Sequence, residues 1–176
     1  ISGNSTAVTG AGATGVAFAG GIYNQQATLN LTNSSVTGNT AGNFHAGIRT
    51  LAGTIAATTN ITNSTISGNI ANGTEGGGVI NLATSTANSI TSITGSTVSS
   101  NQVLGAGGFA GGSENFASTS IAGLAVMNVT NSTISGNTAP NAAGSYNIGA
   151  TATANYNFST IASNTATTIG GGIYQD

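Results

Sequence analysis

Residues Asn128–Ala139 read NVTNSTISGNTA, and the reading of this phrase decides the fold. It returns as NLTNSSVTGNTA from Asn30 and as NITNSTISGNIA from Asn60. A worn copy, SITGSTVSSNQV, starts at Ser92, and shortened copies stand at both ends: ISGNSTA from Ile1 and NFSTIASNTA from Asn157. A second phrase answers each copy: GGIYN at Gly20, AGIRT at Ala46, GGGVIN at Gly76, GGFAG at Gly107, AGSYN at Ala143 and GGGIYQD at Gly170. Two phrases alternating through 176 residues mark a repeat architecture, in which each unit buries its apolar face against its neighbours.

The apolar residue of the Ile-Ser-Gly-Asn unit falls at Ile1, Val36, Ile66, Val98, Ile134 and Ile161, so the turns are 27–36 residues long. The residue after the glycines falls at Ile22, Ile48, Val79, Phe109, Ser145 and Ile173. The distance between the two markers is nearly constant after the first turn, and variation collects in particular loops. Thr9–Gly20 lengthens the first rung, and Gly111–Val126 lengthens the fourth and carries Glu114. Thr151–Asn155 leads into a shortened strand.

Each rung reads as three short strands. Alternation in Leu29–Thr32, Thr59–Thr62, Thr91–Thr94 and Met127–Thr130 puts Leu31, Ile61, Ile93 and Val129 on one face and Asn, Ser and Thr on the other. Such strands, joined by turn residues and with no helical pattern between them, stack rung on rung in parallel about 4.8 Å apart. Parallel crossovers are right-handed. The expected fold is all-β: a right-handed parallel β-helix (β-solenoid) of about six three-strand rungs, one domain over residues 1–176.

Three columns stand out. Glycine precedes the third-strand marker in every rung, at Gly21, Gly47, Gly78, Gly108, Gly144 and Gly172. This demands either positive φ or a corner too tight for a Cβ. Asn4, Asn39, Asn69, Asn101, Asn137 and Asn164 follow the second strand and read as a stacked amide ladder. Asn33, Asn63 and Asn131, with Gly95 in the remaining place, read as a second set of corner amides bonded to turn backbone.

Gly-Gly-Gly-Ile beside Ile-Ser-Gly-Asn resembles the paired GGAI-like and FxxN motifs of polymorphic outer membrane protein repeats, which are found in bacterial surface proteins. The resemblance spans essentially the whole chain, with Ile or Val standing where FxxN has Phe. It implies a β-helix displayed outside the cell with adhesive or structural roles and no enzyme activity.

Composition limits the chemistry. Charged residues are 2% of the chain, against a usual share of about 25%. They are Arg49, Glu75, Glu114 and Asp176, and His45 is the one histidine. A net charge of −2 argues against nucleic acid and anionic membranes as partners, because both need clustered Lys and Arg. There is no cysteine, hence no disulfide or thiolate site. Apolar runs are interrupted too often to insert in a membrane. Glu75 and Glu114 read as separate, solvated loop carboxylates, Arg49 and Glu75 as a surface ion pair, and His45 as a surface or hydrogen-bonded histidine. No catalytic, metal or cofactor site is expected.

The outward rows are the candidate binding surface: Asn30/Thr32, Asn60/Thr62, Ser92/Thr94 and Asn128/Thr130. Regular Thr columns suit ice; a tyrosine column at Tyr23, Tyr146 and Tyr174, broken by Arg49, Ile80 and Ala110, suits surface glycans. Nine Asn-x-Ser/Thr sequons occur, at Asn4, Asn30, Asn33, Asn60, Asn63, Asn72, Asn128, Asn131 and Asn157. Most are products of the repeat phrase; as candidate glycan acceptors, Asn30, Asn60 and Asn128 read as outward and better placed than Asn33, Asn63 and Asn131. The chain opens in mid-phrase at Ile1 and closes just after a third strand, which reads as a processed or excised piece with uncapped ends. The expected role is an extracellular or cell-surface filament subunit or adhesin stalk that partners with itself, head-to-tail or laterally.

Overall fold

The structure, a computed structural model, describes residues 1–6, 18–118 and 123–176. Its regular elements are all strands, gathered into four parallel sheets. Sheet I holds Ile22–Gln25, Ile48–Ala52, Val79–Ala83, Ser113–Ala117, Ser145–Ile148 and Ile173–Gln175. Sheet II holds Thr28–Thr32, Ala57–Thr62, Ser89–Thr94, Ala125–Thr130 and Ala152–Asn157. Sheet III holds Ser35–Thr37, Thr65–Ser67, Thr97–Ser99, Thr133–Ser135 and Thr160–Ala162. Sheet IV holds Ser5–Thr6, Thr40–Ala41, Ile70–Ala71, Gln102–Val103, Thr138–Asn141 and Thr165–Ile169. The chain visits I, II, III and IV in turn and begins again one level along the stack, which makes a parallel β-solenoid of about five turns.

The turn differs from its sequence reading in three respects. It has four strands rather than three, because the two-residue strands of sheet IV, such as Thr40–Ala41, are too short to show a period. Thr151–Asn155 does not shorten a strand: Ala152–Asn157 is full length and pairs in register with Ala125–Thr130. The third marker of the fourth turn is Ser113, not Phe109. Val79 lies opposite Ser113, Ile80 opposite Glu114 and Asn81 opposite Asn115. Glu114 is therefore in a central strand and not in a loop. The expected insertion at Thr9–Gly20 falls mostly outside the described residues.

The core is a set of in-register apolar columns. Val36, Ile66, Val98 and Ile134 line sheet III, Ile61, Ile93 and Val129 line sheet II, and Ile48 and Val79 line sheet I. Each fully buried Ile or Val contributes about 1.5–3 kcal/mol. Between sheets I and II the interior is polar. Asn81 donates to Asn115 Oδ1 at 2.7 Å and to the carbonyl of Ser89 at 3.1 Å, and Asn115 donates to Asn147 Oδ1 at 2.8 Å. Thr50 and Thr59 share a hydrogen bond across the same corner.

At the corner between sheets III and IV, each asparagine of the series Asn4, Asn39, Asn69, Asn101, Asn137 and Asn164 donates from Nδ2 to Oδ1 of the next, at 2.9–3.0 Å. The same Oδ1 also accepts the backbone N–H of the preceding asparagine. From Asn39 onward, Nδ2 reaches back to the carbonyl of the apolar marker one turn earlier, as Asn101 does to Ile66 at 3.0 Å. Asn39, Asn69, Asn101 and Asn137 are fully buried, so these bonds settle polar groups that would otherwise be stranded.

The glycine column packs on this ladder. Its fourth member is Gly112, not Gly108, which precedes the displaced Phe109 frame. None of Gly21, Gly47, Gly78, Gly112, Gly144 and Gly172 has positive φ. A Cβ on Gly78 would instead strike the carbonyl of Gly112, the Asn101 amide and Val98. Close approach of successive turns, not backbone hand, selects glycine here.

Asn33, Asn63 and Asn131 do not make the expected side-chain bonds to turn backbone. They have φ of 49, 47 and 48° and are exposed. Gly95 and Phe158 occupy the same place, with φ of 58 and 51°. Asn is used there because it tolerates the left-handed region. The bonds at this corner come from the next residue. Ser34, Ser64, Ser96, Ser132 and Ser159 form a serine ladder in which each backbone N–H donates to the next Oγ at 3.0–3.2 Å.

Asn101→Ala leaves the Asn69 amide and backbone N–H without their Oδ1 acceptor and takes one donor from the Ile66 carbonyl. It is expected to cost about 3 kcal/mol, whereas Asn63→Gly stays within about 0.5 kcal/mol of the wild type. Denaturant titration of both variants checks the contrast; equal costs would contradict it.

Candidate functional site

The chain has five side chains of Arg, Asp, Glu or His type, and four of them meet at one place. His45 lies in the turn between Thr40–Ala41 and Ile48–Ala52, and Glu75 in the turn one level along, between Ile70–Ala71 and Val79–Ala83. Phe44 bridges Glu75, and Glu75 bridges Phe109, so these turns stack like the strands they join. They fold over the outer side of sheet I. That side carries Tyr23, Arg49, Ile80, Glu114, Tyr146 and Tyr174 in one column. Covered by the turns, Ile80, Glu114 and Tyr146 are 0, 4 and 5% exposed although they point away from the solenoid interior.

His45, Arg49, Glu75 and Glu114 line a cavity of about 210 Å³, walled also by Phe18, Phe44, Leu82 and Phe116. His45 is only 2% exposed, and its Nε2 is 3.4 Å from Glu75 Oε2 without the alignment of a hydrogen bond. Its ring stacks on Phe18, and its backbone has φ 60°. The Arg49 guanidinium carbon sits 4.4 Å from the Phe18 ring centre and 4.8 Å from that of Tyr23. Two aromatic faces thus hold the cation. The expected Arg49–Glu75 pair is replaced by the His45–Glu75 contact. Both His45 ring nitrogens, Arg49 Nε and Glu114 Oε2 are buried without a hydrogen-bond partner. Buried polar atoms in that state are exceptional and point to a missing partner.

Burial dominates the electrostatics. It pushes the Glu114 carboxyl up to about 8, the Glu75 charge adds to the rise, and Arg49 opposes it. Burial also lowers His45, against the raising effect of the Glu75 contact. At neutral pH Glu114 holds its proton and His45 is an uncharged imidazole. One nitrogen and two carboxylate donors, from His45, Glu75 and Glu114, lie within 4.8 Å of one another. The cavity, smaller than the roughly 300–1,000 Å³ of sites for drug-sized molecules, admits an ion or a ligand of a few atoms rather than a sugar chain.

The other residues singled out from the sequence lie elsewhere. The outward columns of sheet II are Asn30, Asn60, Ser92, Asn128 and Asn155, and beside them Thr32, Thr62, Thr94, Thr130 and Asn157. Asn60 donates to Asn30 and Asn155 to Asn128 across adjacent turns. The tyrosine column has Glu114 where Ala110 was expected, and Tyr146 is stacked between Phe109 and Tyr174 rather than displayed. Comparison with protein-family models, with curated proteins and with solved structures gives no match.

The solvated-loop reading of Glu114 and the surface reading of His45 are both overturned. The signal that could have found the site was the inner asparagine column: Asn24, Asn81 and Asn147 follow the glycines at a fixed distance. Only the frame Gly-Ser-Glu-Asn, Gly112–Asn115, continues that column in the fourth turn.

The buried carboxyl has a measurable consequence. Glu114 ionises near 4.5 in the unfolded chain and near about 8 in the folded one. Between these values the folded state holds the extra proton, so stability falls as pH rises. His45, lowered from 6.5, acts in the opposite sense below 6.5. The clean window is therefore pH 6.5 to about 8. There the unfolding free energy of chelator-treated protein should fall by up to about 1.4 kcal/mol per pH unit, and Glu114→Gln should flatten the slope. An equal slope in both proteins would remove the assignment.

Proposed function

We propose that the chain is a structural segment of an extracellular or cell-surface protein, a β-solenoid stalk or filament module that lengthens by stacking turn on turn, with no catalytic role. One observation carries this reading. The asparagine ladder repeats with the same Nδ2 to Oδ1 geometry, 2.9–3.0 Å, at all five steps from Asn4 to Asn164. A contact that repeats by translation has no built-in stop, so a further turn of the same design can stack on it. The scarcity of charge supports it, since 2% charged residues give little repulsion between copies. The likeness of the two phrases to polymorphic outer membrane protein repeats fits the same role.

Negative-stain electron microscopy of the purified chain is the test. The expected result is unbranched filaments one solenoid wide, formed equally at low and high salt because charge takes no part in the contact. Monodisperse particles of about five turns at all concentrations would reject self-stacking.

A second reading is favoured by the two outward columns of sheet II, five turns deep and uncharged. A regular grid of amides and hydroxyls suits an ordered hydroxylated partner, either ice or surface glycans. In the ice version the protein shapes ice crystals and shows thermal hysteresis, and Thr62→Lys with Thr94→Lys abolishes both. No effect of the wild type at high concentration would dismiss it.

A further inference from the structure

We propose that His45, Glu75 and Glu114 form a binding site for a single divalent transition-metal ion of the Zn²⁺ type, an inference that stands apart from the stalk reading. The argument begins from unmet bonding. In the described structure both ring nitrogens of His45 and Oε2 of Glu114 are buried without hydrogen-bond partners, at 2 and 4% residue exposure. All border the same cavity. A stalk needs none of these groups, and apolar residues on the outer side of sheet I, such as Ile80 one level away, pack there without them.

The geometry suits a metal ion better than an organic ligand. Around a four-coordinate Zn²⁺ with bonds of about 2.0–2.2 Å, neighbouring donor atoms lie roughly 3.3–3.5 Å apart. His45 Nε2 and Glu75 Oε2 stand at 3.4 Å. The three donors lie within 4.8 Å of one another overall, so side-chain shifts of about an ångström bring all three to one ion. Glu75 has the most freedom to shift, with its side chain 44% exposed, while His45 and Glu114 are buried. Three protein donors leave one coordination position open toward the cavity, as in sites that keep an exchangeable ligand.

Donor chemistry selects the class of ion. Imidazole with two carboxylates suits Zn²⁺ and its transition-metal neighbours, whereas Ca²⁺ prefers six to eight oxygens and Mg²⁺ keeps its water. Charge fits as well. Two carboxylates balance a dication once Glu114 has given up to solvent the proton it holds at neutral pH, and the nearest other cation, Arg49, is held over Phe18 and Tyr23 instead of occupying the space between the acids. The chain has no cysteine and no second histidine, so a stoichiometric nitrogen-containing site has one place to form.

The test is isothermal titration of tag-free, chelator-stripped protein with ZnCl₂ and, separately, CaCl₂, on the wild type, Glu114→Gln and His45→Asn. Asn is chosen because φ at position 45 is 60°, a region Asn tolerates. The expected result is one Zn²⁺ per chain, at least tenfold weaker binding in each variant, and no comparable Ca²⁺ binding. Circular dichroism of the metal-free variants shows whether the fold is kept, and Glu114→Gln replaces a buried carboxyl that is neutral at pH 7 by a neutral amide of the same size and is expected to fold. Substoichiometric Zn²⁺ binding by the wild type, undiminished binding by folded Glu114→Gln, or Ca²⁺ bound as tightly as Zn²⁺ would each overturn the proposal.

Discussion

The structure depends on the amide-to-amide contact between asparagines one turn apart. Each asparagine supplies an acceptor to the turn before it and a donor to the turn after it, and so fixes the rise of the solenoid at a corner where no strand does so. The glycine column is its counterpart: where Nδ2 of Asn101 lies, Gly78 has no Cβ to meet it. The thin core of Ile and Val supplies the driving force, because burial of apolar area is favourable but non-directional. The ladders supply the register that burial alone would leave open.

A precise register matters because it decides what gathers outside sheet I. The strand that carries Glu114 is placed by Ser113 opposite Val79 and Asn115 opposite Asn81. With that pairing, residues far apart in sequence share one cavity: Arg49 from one turn, Glu114 from two levels along, and His45 and Glu75 from the turns laid over them. A chain that places four of its five Arg, Asp, Glu and His residues together, and buries two of the acid–base groups almost fully, has put its ionisable chemistry in one spot.

Much of the fold was legible in the sequence, for a physical reason. A translational repeat writes each structural demand several times, so Ile66 and its equivalents show a core column and Asn101 and its equivalents show a corner. What repetition did not show was what happens once, or in too few residues. Sheet IV was missed because Thr40–Ala41 and Ile70–Ala71 have no period to read. The roles of Asn33 and Ser34 were exchanged, because sequence cannot say which of two adjacent polar residues turns the backbone and which bonds it. The site was illegible for a different reason. Gly107–Gly108 and Gly111–Gly112 both offer a glycine pair, and choosing the first displaced Glu114 from its strand.

The account turns on that register, and nuclear magnetic resonance reads it directly. In isotopically labelled protein, short-range contacts between backbone protons of adjacent strands should link Ile80 to Glu114 and Glu114 to Tyr146. That result places Glu114 in the column between them and brings it to His45 and Glu75. Contacts linking Ile80 to Ala110 instead, with Glu114 showing none to either strand, would contradict the account.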